Sequence, residues 1–145
     1  MNINNYMRLI IPSYSRNEAF ARTAAAAFAS QLDPTVEEIN DIRAAVSEAV
    51  TNCIVHGYPE KIGDIEIVAR VINTDTFYIR IKDKGVGIPD IKQAMLPLFT
   101  TCAEEERAGL GFAVMESFMD KLRVTSKVSK GTSVIMTKRI KSRNE

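Results

Sequence analysis

The chain has 145 residues, of which 46% are hydrophobic and 26% charged, as is ordinary for a globular protein with a sizeable core. Its 19 basic and 18 acidic residues leave a formal net charge of +1, which excludes a general electrostatic case for binding nucleic acid or an anionic membrane. The sequence has no transmembrane-length apolar run, no secretory signal pattern and too few cysteines for a disulfide framework. We therefore expect one domain over residues 1–145, located in the cytoplasm.

The chain is predicted to begin with a strand and an alanine-rich helix. Residues 7–11 form a short apolar run that Pro12 stops, which indicates a strand. A capping-box pattern at residues 15–18 opens a helix that should run to about Gln31. Its expected buried positions are Phe20, Ala24, Ala27 and Phe28.

A second helix is predicted from a second capping-box pattern at residues 35–38 to about His56. Apolar residues recur along it at three- and four-residue spacing, which indicates one buried face. Gly57 follows where a left-handed C-cap belongs, with Pro59 just beyond. The buried face is expected to contain Ile39, Ile42, Val46, Ala49, Val50 and Cys53.

The second half of the chain changes to the alternating pattern of strands. Residues 65–71 and 77–82 alternate apolar and polar side chains around a turn, which predicts a hairpin. Residues 122–127 and 132–138 predict a closing hairpin, and residues 139–145 a basic, frayed tail.

A long irregular segment separates these two hairpins. Residues 88–108 have weak periodicity and two prolines, and such a segment inside a compact domain is usually a functional loop or lid. A third helix should then begin after residues 109–111. The element order predicts an α+β fold: a two-layer sandwich whose mixed sheet, of about four to five strands, is covered on one face by three helices.

Glu48 and Asn52 lie four residues apart, so they share one face of the second helix. Glu48 can accept a proton, and the amide oxygen of Asn52 can ligate a hard cation. Taken alone, the pair is also typical of a solvated helix face.

Asp83, Gly85 and Gly87 follow the second predicted strand directly. A carboxylate at a strand end can accept a hydrogen bond from an amine, and two glycines let the backbone approach a ligand. The pattern is neither a P-loop nor a dinucleotide fingerprint. Alone, it is more typical of a glycine-rich turn after a strand.

Gly109 and Gly111 form a second glycine pair, at the start of the third predicted helix, where unpaired N–H groups bind anions. Arg107 and Thr101 could contact a phosphate there, although Arg107 could equally pair with the preceding glutamates. His56, at a helix C-terminus, is interpreted as a partly charged imidazole that favours the helix dipole.

The order of these motifs resembles the nucleotide-binding boxes of the GHKL superfamily, which includes gyrases and histidine kinases. Within it, the chain resembles the bacterial anti-sigma F factors of endospore formers, which are serine protein kinases. The resemblance covers nearly the whole chain, and its motifs lie at residues 31–35, 46–52, 54–58, 83–90, 97–101 and 109–112.

The resemblance implies a role for each candidate residue. Asn52 would ligate the Mg²⁺ that bridges the ATP phosphates, Glu48 would act as general base, and Asp83 would orient adenine. Arg22 would contact both the sigma factor and the anti-anti-sigma factor. The nucleotide would lie against Gly85, Gly87, Gly109 and Gly111, with Thr101 and Arg107 closing over the phosphates.

The implied function is a homodimeric, ATP- and Mg²⁺-dependent kinase that inhibits sigma F and phosphorylates its anti-anti-sigma factor, with no nucleic-acid or membrane partner. The lid differs from the family pattern at Cys102, Ala103 and Ala108, so its phosphate contacts are open. A general-stress anti-sigma B kinase or a non-catalytic ATP-bound anti-sigma module are the alternatives. A histidine-kinase or gyrase fragment is disfavoured because the chain is short.

Overall fold

The computed structural model describes residues 2–91 and 110–141. Its elements, in chain order, are β1 (Ile3–Pro12), α1 (Asn17–Ala29), α2 (Val36–Asn52), β2 (Asp64–Ile72), β3 (Thr76–Asp83), α3 (Phe112–Phe118), β4 (Lys121–Lys127) and β5 (Gly131–Arg139). A 3₁₀ turn at Ser30–Leu32 follows α1, and a π-helical turn at Cys53–Gly57 continues α2. Within the described residues, no helix has both the length and the apolar character needed to cross a membrane.

The five strands form one sheet in the order β1-β2-β3-β5-β4, and every neighbouring pair is antiparallel. The expected α+β sandwich is therefore confirmed, but the expected mixed sheet is wrong. Two helices, α1 and α2, return the chain to the end of the sheet where β1 finished, so β2 runs antiparallel to β1. β4 runs in the direction of β3, but β5 lies between them and removes the parallel contact.

The three helices lie on one face of the sheet and bury an apolar core against it. Completely buried side chains come from both layers: Ile42, Val46 and Val50 on α2, and Ile67, Ile79 and Met136 on the sheet. Phe112 and Met115 bring α3 into the same core.

α1 is rotated relative to the sequence prediction. Its buried residues are Ala21, Ala25, Ala26 and Ala29, whereas the predicted core residue Phe20 is 53% exposed and Ala27 is also exposed. Alanines let α1 lie close to α2, which the larger side chains would prevent. The capping box predicted at residues 15–18 is also wrong, because helix α1 begins after Arg16 without a side-chain cap.

α2 has the capping box that its sequence predicted. The Thr35 hydroxyl accepts from the Glu38 N–H at 3.1 Å, and the Glu38 carboxylate accepts from the Thr35 N–H at 2.9 Å. The helix then widens into the π turn instead of ending at a left-handed residue. Gly57 does not have a positive φ, so the expected left-handed C-cap is wrong.

Both ends of the sheet extend further than expected. β1 begins at Ile3 because it pairs with β2 along almost its whole length. At the other end, Arg139 belongs to β5 and Ile140 is only 4% exposed, so the tail does not begin at residue 139. The predicted lid at residues 88–108 lies outside the described residues from residue 92 onward, and the predicted frayed tail does so from residue 142.

Candidate functional site

A small cleft lies between α2 with its π turn and the ends of β3 and β5. Asn52 and His56 form one wall, and Asp83 and Thr132 the other. Apolar side chains complete the lining: Ala49, Ile81, Ile88, Leu110, Phe112 and Val134. Such a cleft, apolar with a few convergent polar groups, is typical of a small-molecule binding site.

Glu48 and Asn52 are half-buried on the face of α2 that points toward the start of α3. The Asn52 side-chain amide donates to the carbonyl of Leu110. The Glu48 carboxylate lies against Gly111, where an added Cβ would come within 2.2 Å of Oε2. Gly111 also has a positive φ of 65°, a conformation that is strained for other residues, and the Glu48 carboxylate would have to move to admit a side chain there. Asn52 lines the cleft and Glu48 lies at its rim.

Asp83 ends β3 and is only 4% exposed. Its Oδ1 accepts from the Gly85 N–H at 2.9 Å, and it also accepts from the Cys53 thiol and the Thr132 N–H. Burial raises the pKa of Asp83, although these three hydrogen bonds act in the opposite direction. The carboxylate is therefore held in one orientation in a nearly dry setting.

The glycines around Asp83 are required by contacts within the protein. A Cβ on Gly57 would lie 2.7 Å from Asp83 Oδ2, and a Cβ on Gly85 would lie 1.9 Å from the carbonyl oxygen of Gly57. Gly87 has a φ of +78°, and a Cβ at this position would clash with the carbonyl oxygen of Lys127. The Val86 N–H donates to the Gly57 carbonyl at 3.0 Å, which ties the glycine loop to the end of α2.

Several residues of the site were not singled out by the sequence. Cys53 is buried, and this burial, together with the neighbouring Asp83, holds the pKa of its thiol well above the ordinary value. The Tyr58 hydroxyl donates to the Asp64 carbonyl and accepts from the Lys84 N–H, both at 2.7 Å. No sequence signal marks Thr132, because only the pairing of β3 with β5 brings it to Asp83.

His56 differs from its interpretation. Burial lowers the pKa of its imidazole and so disfavours the charged form, and the ring lines the cleft. This direction disfavours the partly charged imidazole that was expected at the helix C-terminus.

Arg22 lies on α1, in the helical layer, with 40% of its side chain exposed. It forms an ion pair with Glu18 at 3.5 Å, and the same glutamate accepts a hydrogen bond from the Ser47 hydroxyl on α2. The remaining candidates, Thr101, Arg107 and Gly109, lie outside the described residues. Of the predicted nucleotide-site residues that are described, Asn52, Asp83 and Gly87 line one cleft, with Glu48, Gly85 and Gly111 directly beside it.

Comparison with known proteins places this arrangement in a family. Residues 11–138 match the family described as Histidine kinase-like ATPase domain. An anti-sigma F factor from Thermoanaerobacter sp. (strain X514) is 60% identical over 142 residues, which covers 98% of this chain and 99% of that protein. An anti-sigma F factor from Geobacillus kaustophilus is 48% identical over 138 residues, covering 95% of this chain and 94% of that protein.

Solved structures share the fold at low sequence identity. The RsbU and RsbW domains of Rv1364c from Mycobacterium tuberculosis superpose with a TM-score of 0.69 at 18% identity, over 94% of this chain and 33% of that one. The catalytic domain of the histidine kinase ThkA gives a TM-score of 0.58 at 13% identity, over 94% and 96% of the two chains. By its sequence relatives and its fold, the chain belongs to the histidine kinase-like ATPase domains and, among them, to the anti-sigma F factor family.

Proposed function

We propose that this protein is an anti-sigma factor that binds and inhibits sigma F, and a kinase that uses Mg²⁺ and ATP to phosphorylate a serine of the anti-anti-sigma factor. The single observation that supports the chemistry best is the placement of Glu48 and Asn52 on one helix face beside the buried Asp83. The 60% identity to an anti-sigma F factor supports the assignment of the partners.

Asp83 is proposed to bind the adenine amino group of ATP. Its carboxylate is buried, fixed by three donors and surrounded by apolar side chains that fit the faces of a purine. A hydrogen bond formed in such a dry site is stronger than one formed in water. Gly85, Gly87 and Gly111 hold the surrounding backbone in conformations that a side chain would block.

Asn52 is proposed to hold the magnesium ion. Its amide nitrogen donates to Leu110, which orients the side chain and leaves its oxygen as the ligand atom. Among the described residues no group of three or more His, Cys, Asp or Glu side chains could form a metal cage. This donor set fits Mg²⁺, which is commonly bound through one or two protein oxygens together with substrate phosphates and water. When bound, the ion would neutralise phosphate charge.

Glu48 is proposed to orient the attacking serine hydroxyl and to accept its proton. It lies one helical turn from Asn52, so the Cβ atoms of the proposed base and of the proposed magnesium ligand are about 6 Å apart. Phosphoryl transfer depends mainly on positioning and charge neutralisation, which needs few catalytic side chains.

Arg22 is proposed to contact both protein partners from the helical layer. Its ion pair with Glu18 orients it, and the Glu18–Ser47 bond fixes that pair to α2 next to Glu48. Phosphate contacts by Thr101, Arg107 and Gly109, and a homodimeric assembly in a single 145-residue domain, remain part of the proposal. An anti-sigma B type kinase or a non-catalytic ATP-bound module are the alternative functions.

The test is a transfer assay with the Glu48→Gln variant. The protein is mixed with radiolabelled ATP, Mg²⁺ and purified sigma F and B partner sets, and phosphoserine formation is followed. Loss of the carboxylate is expected to lower transfer by about 10²- to 10⁴-fold without weakening ATP binding, since glutamine preserves the shape of the side chain.

Glu37→Gln is the matched control, because Glu37 is exposed in the first turn of the same helix. Transfer at the normal rate by Glu48→Gln would exclude Glu48 as the base. Sigma binding without transfer to any partner would favour the non-catalytic module, and transfer only to the sigma B partner would favour the alternative kinase.

A further inference from the structure

The face of the sheet opposite the helices is strongly basic. Side chains directly opposite each other on paired strands point to the same face, so the strand register defines three rows across the sheet. The first row is Arg8, Val68, Arg80, Ile135 and Arg123; the second is Ile10, Glu66, Lys82, Ser133 and Thr125; the third is Tyr6, Arg70, Tyr78, Thr137 and Lys121. We call these fifteen positions the open face.

The open face carries six of the 19 basic residues and one of the 18 acidic residues. Its formal charge is therefore 6 − 1 = +5, while the rest of the chain carries 13 − 17 = −4. A chain of nearly zero net charge thus concentrates positive charge on one flat surface. Such a separation produces a local potential that the total charge does not reveal.

The single acidic residue organises the surface instead of neutralising it. Glu66 forms ion pairs with Arg8 at 2.7 Å and Arg80 at 2.9 Å, which fixes two guanidinium groups. Lys82, Lys121 and Arg123 are exposed and have no acidic partner among the described residues. The surface therefore has unused donors that a carboxylate-bearing ligand could accept from.

We infer that the open face is a docking surface for an acidic, partly apolar segment of a protein partner, and that this contact is additional to the one proposed for Arg22. Apolar side chains lie among the cations: Tyr6 is 69% exposed, Ile10 is 49% exposed and Ile135 is half-buried. A protein segment supplies both carboxylates and apolar side chains, and arginine pairs with carboxylates in bidentate geometry.

Two other occupants fit this surface less well. A second copy of the chain placed face to face would bring +5 against +5. Nucleic acid would present phosphates to Glu66 and would leave Tyr6 and Ile10 without apolar partners. The inference does not rest on the proposed kinase activity, because the open face lies on the other side of the sheet from α2.

The inference is tested with a labelled amphipathic helical peptide of glutamate and leucine, about 20 residues long and so able to cross five strands. Its binding to the full chain is measured by fluorescence anisotropy in low and moderate salt, beside an oligouridylate RNA of the same length. The Lys121→Glu/Arg123→Glu double variant is expected to weaken peptide binding about tenfold, with a larger loss in low salt.

Arg43→Glu is the matched control, since Arg43 is exposed on α2 in the helical layer, and it should change peptide affinity less than twofold. Bound ATP, measured for each variant, confirms that the fold is retained, and Arg123→Gln replaces the double variant if that protein does not fold. Equal peptide affinity in the wild-type and open-face variants would overturn the inference. So would tighter binding of the RNA than of the peptide, or no binding of the peptide at all.

Discussion

The buried carboxyl group of Asp83 serves ligand binding but, once ionised, contributes less to the folding stability of the free protein. Burial raises its pKa, which means that the folded chain holds the proton more tightly than the unfolded chain does. Its contribution to folding stability is therefore present at low pH and is lost as pH rises through the folded-state pKa. Adenine binding has the opposite requirement, because the ionised carboxylate is a stronger acceptor for an amino group than the protonated carboxyl.

The Asp83→Asn variant separates these two effects. Asparagine keeps an acceptor for Gly85 but removes the buried charge, so the free energy of unfolding at pH 7 should be unchanged or higher. ATP should no longer stabilise the variant. In the wild-type protein, ATP affinity should fall as the solution is acidified, with a midpoint above the ordinary aspartate pKa of about 3.9.

Chemical denaturation measures the change in unfolding free energy, and calorimetric titration measures the change in ATP affinity. Both are carried out across pH 4 to 8, a window that runs from about the ordinary Asp pKa to slightly beyond that of His. Asp64→Asn is the control, because Asp64 is an exposed aspartate at the start of β2. ATP binding by Asp83→Asn at wild-type affinity would show that the carboxylate does not hold adenine.

At the scale of elements, the sequence was most informative where short-range chemistry decides the structure. In α2 the capping box and the apolar stripe lie within one segment, and both are present as predicted. In α1 the run of alanines offers no contrast between faces, so the choice between Phe20 and Ala21 as the buried position depends on packing against α2. Packing against α2, and not local helix propensity, therefore decided which face of α1 is buried.

Gly57 shows the same limit at a single junction. A glycine after a helix usually indicates a left-handed cap, but here it makes room for the carboxylate of a residue 26 positions later (83 − 57). No local pattern could show this contact. The sequence singled out Gly57 as a helix cap and Asp83 as a carboxylate at a strand end, but it did not indicate that the two residues touch.

The capping box of α2 is expected to stabilise the whole fold, because the helix that it begins packs on both α1 and α3. Thr35→Ala removes the acceptor for the Glu38 N–H and should lower the free energy of unfolding by about 1 kcal/mol. Thr23→Ala is the control: Thr23 is an exposed residue inside α1 whose hydroxyl bonds to the Ala19 carbonyl. That change should be neutral or slightly stabilising, since alanine is the better helix former. Equal losses in urea denaturation would contradict a specific role for the cap.

At the scale of the whole molecule, the cleft is assembled from α2, the β3 end and β5. These segments are far apart in sequence, and β5 reaches the cleft only because it lies between β3 and β4. Periodicity predicted each strand but could not order them, so the site as an arrangement came from the family resemblance. The residue patterns alone left Glu48 and Asn52 as an ordinary polar helix face.

Because Asn52 and Asp83 belong to different layers, a ligand that contacts both should stabilise the entire fold. With ATP at about 100 times its dissociation constant, the stabilisation should be about 2.7 kcal/mol, visible as a rise in the thermal midpoint. Removing Mg²⁺ with a chelator should remove much of this rise.

In Asn52→Ala the rise should be small and insensitive to the chelator, because the proposed metal ligand is gone. Glu48→Gln should keep the full, metal-dependent rise, since the base is not needed for binding. A rise in Asn52→Ala that still depends on Mg²⁺ would show that the ion is held elsewhere.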